Sequence, residues 1–414
     1  MKQSITIIGA GVSGLVAAIQ LELLGYEPTI FEANEKVGGR VRSDVQDGYI
    51  LDHGFQVLLS AYPQAQKYLD FNALDLDAFE SGAYIFKGGK QFCIGDPIKD
   101  TSLLFSTIFS KIGVLSDKLK IFKLTRKLKN KTIEQIFEGE ESRTIDYLKA
   151  FEFSEQFIVE FFKPFFGGIF LESELNTSSR MFEFIFKMFS EGKAVIPRKG
   201  MQEIPNQLTS KLKATKINFS TKVEKVVGDI IYFSNGDTET SNFIIVATEA
   251  SKIIPQLAGT KAGWKGTQTL YFEVDQIDFN RYMIGLITSE ENRLINSVCY
   301  PKSILSNAKH KLLSVSIIKQ HQLTHQDLIA KVTEELKLIF DITPIRFLKV
   351  YDIPYALPEL STAKMTVHPS ETQLTEHIFL AGDTLLNGSL NAAMHSGELV
   401  AKAIHEKITG TMVS

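Results

Sequence analysis

Glycines near the amino end of the chain are spaced so that a backbone loop could hold a phosphate group. They lie between an apolar stretch, residues 4–8, and a helical pattern over residues 13–24. The loop and the first helical turn comprise Gly9, Gly11, Val12, Ser13 and Gly14. Gly9 permits a tight turn, Gly11 lets the backbone approach a pyrophosphate, and Gly14 lets the helix pack on the strand. The spacing therefore predicts an anion site at the helix N-terminus.

An acidic residue follows this loop at the distance expected for contact with a ribose. A second strand is predicted over residues 27–32, and it ends at Glu32, eighteen residues after Gly14 and next to Ala33. Glu32 is placed to accept hydrogen bonds from an adenosine ribose, and it is an acid where a 2'-phosphate would need a base. The strand, helix and strand together have the size of a dinucleotide-binding βαβ unit.

Further motifs lie far along the chain, and together with the first loop they carry a resemblance. Gly38-Gly39-Arg40 lies within residues 35–43, Pro197-Arg198-Lys199-Gly200-Met201 precedes Thr221-Lys222-Val223, and residues 244–248 read Ile-Ile-Val-Ala-Thr. Residues 379–383 read Phe-Leu-Ala-Gly-Asp, and residues 388–397 read Gly-Ser-Leu-Asn-Ala-Ala-Met-His-Ser-Gly. This set resembles the flavin-containing amine oxidase superfamily, which includes phytoene desaturases and protoporphyrinogen oxidases. The match covers three segments, roughly residues 1–62, 195–260 and 370–414.

The resemblance implies a non-covalently bound FAD. Arg40, after the close-approach glycines Gly38 and Gly39, would reach the FAD pyrophosphate, because a planar guanidinium pairs with phosphate oxygens. Val223 would meet the adenine through its backbone. Gly382 and Asp383 would end a strand near the ribityl and phosphate region. The amides near Leu390 and Asn391 would face the N1 and O2 edge, where a helix N-terminus stabilises negative charge on the ring.

The implied fold class is α/β, with a Rossmann-like FAD-binding domain of the glutathione-reductase and amine oxidase type. We predict that residues 1–62, 195–262 and 370–414 form this discontinuous domain. Residues 63–194 and 263–369 would form an α+β substrate domain, with a helical subregion at about 100–190. The second part includes alternating strands over residues 268–274 and 311–317 and a helix over residues 328–339. A closing helix is expected over residues 391–406.

Residues near the expected flavin ring are few. Phe55 and Gln56, in Asp52-His53-Gly54-Phe55-Gln56, are candidate pocket residues, although they are equally well read as plain strand ends. His53 beside a turn is typical of a structural histidine, so covalent attachment is not expected. The strand nearest the ring in amine oxidases proper carries a lysine, whereas the closest segment here, residues 266–272, has none, and Lys265 precedes it. Tyr355 lies in a segment that resembles the one from which the family projects an aromatic side chain toward the active site.

The absence of that lysine favours the desaturase-like branch, with hydride transfer from a hydrophobic, carotenoid-like or polycyclic substrate to flavin N5. The stretch from Phe151 to Phe189 holds twelve of the thirty phenylalanines and would either line such a pocket or form core. Two alternatives stay open: an amine or protoporphyrinogen oxidase that uses oxygen, and a flavin-binding protein without turnover. With one dinucleotide motif, reduced flavin would be reoxidised by oxygen, a quinone or another acceptor.

Composition and charge narrow the class of protein. A net charge of -3, with 44% hydrophobic residues, is typical of a globular protein that does not bind nucleic acid. The two cysteines, Cys93 and Cys299, indicate a reducing compartment, and no metal site or leader segment is predicted, so we expect a cytoplasmic protein. Residues 111–131 hold eight Lys or Arg and one acid around interleaved apolar positions. This segment is either a solvated helix face or a peripheral membrane contact.

Overall fold

The computed structural model describes residues 3–95, 112–259, 263–275, 282–288, 293–302 and 310–411. Within these residues, the strands are β1 Ile5–Ile8, β2 Thr29–Phe31, β3 Ser43–Gln46, β4 Tyr49–Asp52, β5 Leu58–Leu59, β6 Leu76–Ala78, β7 Gly82–Lys87, β8 Lys90–Gly95, β9 Ala194–Pro197, β10 Lys216–Asn218, β11 Val223–Val227, β12 Ile230–Phe233, β13 Thr238–Thr240, β14 Phe243–Val246, β15 Gly263–Val274, β16 Ile284–Ile287, β17 Ile295–Cys299, β18 Lys311–Ile317, β19 Arg346–Glu359 and β20 Ile378–Leu380. The α-helices are α1 Val12–Leu23, α2 Pro63–Tyr68, α3 Leu115–Lys129, α4 Ile133–Glu138, α5 Thr144–Ala150, α6 Glu155–Phe157, α7 Lys163–Phe170, α8 Ser179–Glu191, α9 Glu203–Ser210, α10 Ala250–Ile253, α11 His325–Phe340 and α12 Leu390–Thr409.

A five-stranded parallel sheet joins segments from both ends of the chain. Its strand order is β10-β2-β1-β14-β20, so the first strand of the protein pairs with a strand from its middle. β1 and β14 are buried throughout, which explains their unbroken apolar sequence. The predicted βαβ unit is confirmed, although β2 begins at Thr29 rather than at residue 27, after Pro28, which has no N–H to donate to a ladder. Helices α1 and α12 pack together, with Gly397 against the Ser13 carbonyl.

A second sheet has seven strands in the order β19-β15-β18-β17-β16-β7-β8. Neighbouring strands are antiparallel except β16 and β7, which run parallel. Helix α11 packs Leu328, Val332 and Leu336 into the core of this sheet, beside Val315 and Ile317. The predicted strands and the predicted helix in this part of the chain are therefore confirmed, although β15 begins at Gly263 rather than at residue 268. Helix α11 is longer than predicted by three residues at its start and one at its end.

A helical region, α3 to α8, separates the strands of these sheets along the chain. It confirms the helical pattern predicted for residues 100–190, of which residues 100–111 lie outside the described residues. A π-helical turn, Ile158–Phe162, connects α6 to α7. Phe162, Phe166 and Phe182 are almost fully buried in its core. No helix within the described residues combines the length and the apolar character needed to cross a membrane.

Candidate functional site

One cavity extends from the parallel sheet to the helical region. Its volume is about 1510 Å³, which exceeds the roughly 300–1,000 Å³ of typical small-molecule pockets. Its walls come from the carboxyl ends of β1, β2, β14 and β20, from β15 and β19, and from helices α3, α7 and α8. In open parallel sheets, ligands bind at the carboxyl ends of the strands. The cavity therefore has room for a dinucleotide at that end and a second molecule beyond it.

The glycine loop forms the floor at the parallel-sheet end. Gly9 has φ +103°, which lets the chain turn sharply out of β1. A Cβ on Gly14 would overlap the carbonyl oxygen of Gly9, so only glycine lets α1 start this close to the loop. A Cβ on Gly11 would instead meet no atom within 4 Å, because this residue faces the open cavity.

The N-terminus of α1 is free to bind an anion. Its N-cap residue is Gly11, which has no side chain to accept from the first-turn amides, and the turn holds no acidic residue. Val12 and Ser13 both line the cavity. Orphan N–H groups and the positive end of the helix dipole then point at the cavity, which is the arrangement that binds phosphate.

Glu32 joins the glycine loop to the end of β2. Its Oε2 accepts from the Ala10 amide at 2.7 Å, and its Oε1 accepts from the backbone and side-chain nitrogens of Asn34 at 2.9 and 2.6 Å. The residue is buried, yet it and Ala33 line the cavity. Because a carboxylate oxygen can accept two hydrogen bonds, Oε2 retains capacity for a ribose hydroxyl.

Arg40 and Asp383 form an ion pair on the cavity wall. Arg40 Nη2 donates to Asp383 Oδ1, and Nη1 donates to the Ala356 carbonyl at 3.1 Å. The guanidinium carbon also lies 5.3 Å from the ring centroid of Trp264. Gly38 and Gly39 precede the arginine with φ +124° and +60°, and Gly38 bridges to Gly11. The two glycine segments thus meet beside one guanidinium.

The other residues predicted to contact the cofactor lie mostly on the cavity. Val223 begins β11, Gly382 follows β20 and Leu390 begins α12, and all three residues line the cavity. Gly14 and Asn391 are absent from the lining, since Gly14 packs on the loop and Asn391 Oδ1 accepts from the Gln64 amide at 3.0 Å. At α12, Ser389 Oγ accepts from the Ala392 amide at 3.0 Å, so this helix start is capped.

The pocket candidates Phe55, Gln56 and Tyr355 all line the cavity. Gln56 Nε2 donates to the carbonyl oxygens of Arg40 and His53, each at 2.9 Å. Tyr355 is partly exposed, with the Lys252 ammonium 3.8 Å from its ring centroid and Trp264 edge-on to it. Tyr355 thus lies on the cavity wall next to Trp264, whose ring also contacts the Arg40 guanidinium.

Both ring nitrogens of His53 are already used within the protein. Nδ1 accepts from Arg42 Nε at 2.9 Å, and Nε2 donates to Asp44 Oδ2 at 2.8 Å. Burial lowers the pKa of His53, and it outweighs the opposing effect of Asp44. The ring also lies 4.2 Å from the ring of Tyr351. His53 lines the cavity, but both of its ring nitrogens bind within the protein, and its structural role stays a prediction.

The phenylalanine-rich stretch divides into a core side and a cavity side. Phe162 and Phe182 are fully buried, whereas Phe161, Phe165 and Phe189 line the cavity. Phe161 and Phe165 stack with centroids 5.6 Å apart, and Phe165 contacts Phe189 at 5.4 Å. Part of this stretch is therefore core and part lines the cavity, and its contact with a substrate stays a prediction.

A charged pair that the sequence analysis did not combine lies on the same cavity wall. Lys265 Nζ lies 2.6 Å from Glu172 Oε2 and 3.0 Å from Thr177 Oγ1, and all three residues line the cavity. Both charged side chains are mostly buried. Residues 266–272, the segment compared with the lysine-bearing strand of amine oxidases, belong to β15, which begins at Gly263 and includes Lys265. The pairing of β15 with β19 shifts register between Lys265 and Thr267, so Lys265 lies beyond the regular part of this ladder.

Comparisons with known proteins place these features in context. The sequence matches the profile of the family described as flavin containing amine oxidoreductase over residues 12–405. It is 28% identical to protoporphyrinogen oxidase 2 of Arabidopsis thaliana over 166 residues, which are 40% of this chain and 32% of that protein. It is 43% identical to hydroxysqualene dehydroxylase of Rhodopseudomonas palustris over 124 residues, which are 25% of this chain and 30% of that protein. The chain thus matches about a third of the length of these relatives.

The likeness to solved structures extends over nearly the whole chain. The crystal structure of a fatty acid isomerase from P. acnes that produces CLA superposes with a TM-score of 0.71. The alignment covers 96% of this chain and 98% of that chain, at 15% sequence identity. At this identity the likeness concerns the fold alone, a Rossmann-like domain with a second, sheet-containing domain.

Proposed function

Because the chain belongs to the family of flavin-containing amine oxidoreductases, we propose that it is an FAD-dependent oxidoreductase that oxidises or desaturates a hydrophobic substrate. FAD, bound without a covalent link, would supply the chemistry by accepting a hydride at flavin N5. One observation carries the proposal. The uncapped N-terminus of α1 and the open face of Gly11 lie on the same cavity that Phe161, Phe165 and Phe189 line.

The residues on the parallel-sheet end fit FAD. The amides of Val12 and Ser13 and the guanidinium of Arg40 would hold the pyrophosphate, and Glu32 would accept from the ribose. Val223 would meet the adenine, and Asp383 the ribityl region. In this proposal residues 1–62, 195–262 and 370–414 form the FAD-binding domain, which is supported by the origin of all five parallel strands in these ranges.

The other end of the cavity favours a substrate with little charge. Its phenylalanine wall offers apolar contact, and the Lys265–Glu172 ion pair on the same cavity is internally neutralised. The similarity to a hydroxysqualene dehydroxylase supports a hydrophobic substrate as well. Such substrates partition into membranes, so the proposal includes peripheral membrane contact through residues 111–131.

The protein's own task in this reaction is positioning and exclusion of water. The cavity walls would hold the reacting carbon against the ring, since a hydride can leave an activated carbon without a strong base. Electrons would then pass to oxygen, a quinone or another acceptor.

Purified protein tests the proposal directly. The visible spectrum is recorded before and after acid precipitation, and the released flavin is identified by mass. Bound FAD that appears in the supernatant is expected, followed by anaerobic reduction and reoxidation by air or a soluble quinone. Faster reoxidation by quinone supports a dehydrogenase or desaturase. A colourless protein that cannot be reconstituted with FAD contradicts the proposal. Gly11→Ala is the matched variant, in which an added methyl group would block the approach of the pyrophosphate to the backbone.

An oxidase that uses oxygen is the second candidate, because Lys265 lies on β15 and lines the cavity. The similarity to a protoporphyrinogen oxidase points the same way. A cationic amine is less suited, since Lys265 already neutralises Glu172. Hydrogen peroxide released on mixing with protoporphyrinogen, but not with polyamines, would favour this candidate over the desaturase.

A further inference from the structure

Exposed apolar side chains are concentrated on helix α3. Among the described residues twelve large apolar side chains are exposed, and four of them lie within residues 114–122. Leu115, Leu119 and Phe122 are exposed to 62%, 68% and 56%. Their spacing of i, i+4 and i+7 puts them on one side of the helix. Single exposed apolar residues need no explanation, whereas a contiguous stripe marks a contact surface.

The helix is held firmly with this stripe turned outward. Leu124 and Leu128 are fully buried on the opposite side. Asp117, also buried, accepts from the amides of Val114 and Ser154 at 2.9 and 2.8 Å. At the other end of the helix, Lys127 and Lys131 bind Glu183 at 3.1 and 2.9 Å. The exposure of the stripe is therefore a fixed feature of the fold.

The stripe is continuous with the cavity. Leu115, Leu119 and Phe122 each line it, although each is more than half exposed, so they lie where it opens to solvent. Ile121 and Thr125, which are less exposed, also line the cavity, as do Phe161 and Phe165. An apolar path thus leads from the protein surface to the phenylalanine wall.

Positive charge surrounds the stripe. Lys123, Arg126 and Lys129 are exposed, and within the described parts of the chain no acid lies within salt-bridge distance of them. In a helical projection Arg126 extends the stripe by one turn, and Lys123 and Lys129 flank it on either side. Basic residues beside a protruding apolar ridge are complementary to an anionic bilayer, where the ridge enters the acyl boundary and the cations meet lipid phosphates.

We propose that the α3 stripe, Leu115, Leu119 and Phe122 with its flanking cations, docks the protein on an anionic lipid bilayer and opens the cavity directly to it. A lipid-soluble substrate would then pass from the bilayer to the cavity without crossing water. This entrance route rests on the proposed apolar substrate, whereas the docking itself does not.

Vesicle flotation with the FAD-loaded full chain tests the docking. We expect binding to phosphatidylcholine vesicles that contain phosphatidylglycerol, weakened by salt, and little binding to phosphatidylcholine alone. Leu119→Ser combined with Phe122→Ser should lower binding by at least about tenfold, because the inserted apolar area is lost. Leu338→Ser is the matched control, since Leu338 on α11 is 63% exposed and lies away from the cavity lining.

The charges are tested separately. Lys123→Glu should weaken binding by roughly fivefold or more, as expected for each basic residue near an anionic surface. Lys337→Glu, on the exposed side of α11, should leave it unchanged.

Insertion is tested with a new tryptophan. The protein has a single tryptophan, Trp264. Phe122→Trp adds a second, and brominated lipids should quench the added fluorescence while they spare that of Leu338→Trp.

Three results would overturn the proposal: no vesicle binding by the wild type, equal binding by the stripe variant, or a concentration-dependent dimer that the stripe variant abolishes. The last result would assign the surface to a second copy of the chain. Because vesicle binding needs no turnover, its failure leaves the FAD proposal standing. Vesicle binding by a protein that never takes up FAD would remove the oxidoreductase proposal alone.

Discussion

The Arg40 guanidinium and the Asp383 carboxylate are 343 residues apart in sequence and form an ion pair on the cavity wall. Arg40 follows the second glycine segment, and Asp383 follows the last strand of the parallel sheet. The pair therefore connects the first and last segments of the proposed FAD-binding domain. Asp383 is buried, and Arg40 is the cation that pairs with it.

Arg40→Lys should weaken FAD binding while the fold is kept. Lysine retains a charge for Asp383 but loses the planar fork that pairs with phosphate oxygens. The dissociation constant for FAD should rise about tenfold, consistent with the roughly 1.5–3 kcal/mol of a hydrogen bond to a charged group. Flavin fluorescence titration measures it. Arg198→Lys, which changes an arginine paired with Asp75 and Asp77 outside the cavity lining, should have no effect.

Gly11→Ala should lower the affinity for FAD, whereas Gly14→Ala should lower the stability of the fold. A methyl group on Gly11 projects into open cavity, so the apo-protein should unfold at nearly the same temperature but lose most of its FAD affinity. A methyl group on Gly14 would overlap the Gly9 carbonyl, and about 1–3 kcal/mol of stability should be lost before any FAD is added. Thermal unfolding without cofactor, followed by FAD titration, separates the two effects. Equal destabilisation by both changes would contradict the geometry.

Asp52 should make the protein less stable as the pH rises from 4.5 to 7. Burial raises its pKa to about 6, and this outweighs hydrogen bonds from Ser43 Oγ and the Met201 amide. The folded state then holds a proton that the unfolded state releases near pH 4. The free energy of unfolding should therefore fall by about 2 kcal/mol over this range, relative to an Asp52→Asn variant.

Asp52→Asn is the suitable reference because its amide oxygen can still accept both hydrogen bonds. Urea unfolding of the two proteins at pH 4.5, 5.5 and 7 gives the difference. Parallel pH profiles would show that folding does not raise the pKa of Asp52, which would contradict the prediction.

Lys265 and Glu172 should be strongly coupled. Lys265→Met leaves a mostly buried carboxylate unpaired, and Glu172→Gln leaves a mostly buried ammonium unpaired, so each change should cost about 3 kcal/mol or more. The double variant should be more stable than either single one, because neither charge remains. Urea unfolding of all four proteins closes the cycle. Additive losses would mean that the two side chains do not interact in solution.

The local motifs were readable from sequence because their geometry is contained in a few residues. The turn at Gly9 and the close contact at Gly14 follow from glycine spacing after an apolar strand. The pairing of Lys265 with Glu172 could not be read, since it joins residues 93 apart and the strand pattern breaks at the register shift. The division of the phenylalanines into core and cavity depended on packing that helical spacing alone does not specify.

Helix α3, which lines the cavity, was also only partly predictable from the sequence. Its basic and apolar residues were evident, but the sequence could not show that the side bearing Leu119 and Phe122 opens onto the cavity. The predicted segment 111–131 becomes a helix from Leu115 to Lys129, and Lys111 lies outside the described residues.

The order of strands in the parallel sheet also determines when the sheet can be completed during synthesis. β1 pairs with β14 at residues 243–246, and β14 pairs with β20 at residues 378–380. A nascent chain leaving the ribosome therefore carries β1, β2 and the glycine loop long before β14, the other neighbour of β1, exists. Contacts of such large sequence separation form slowly, and unpaired strand edges favour aggregation meanwhile. In the proposed function the FAD site is completed only when Asp383 has been synthesised, so cofactor loading would be a late event in the life of the polypeptide.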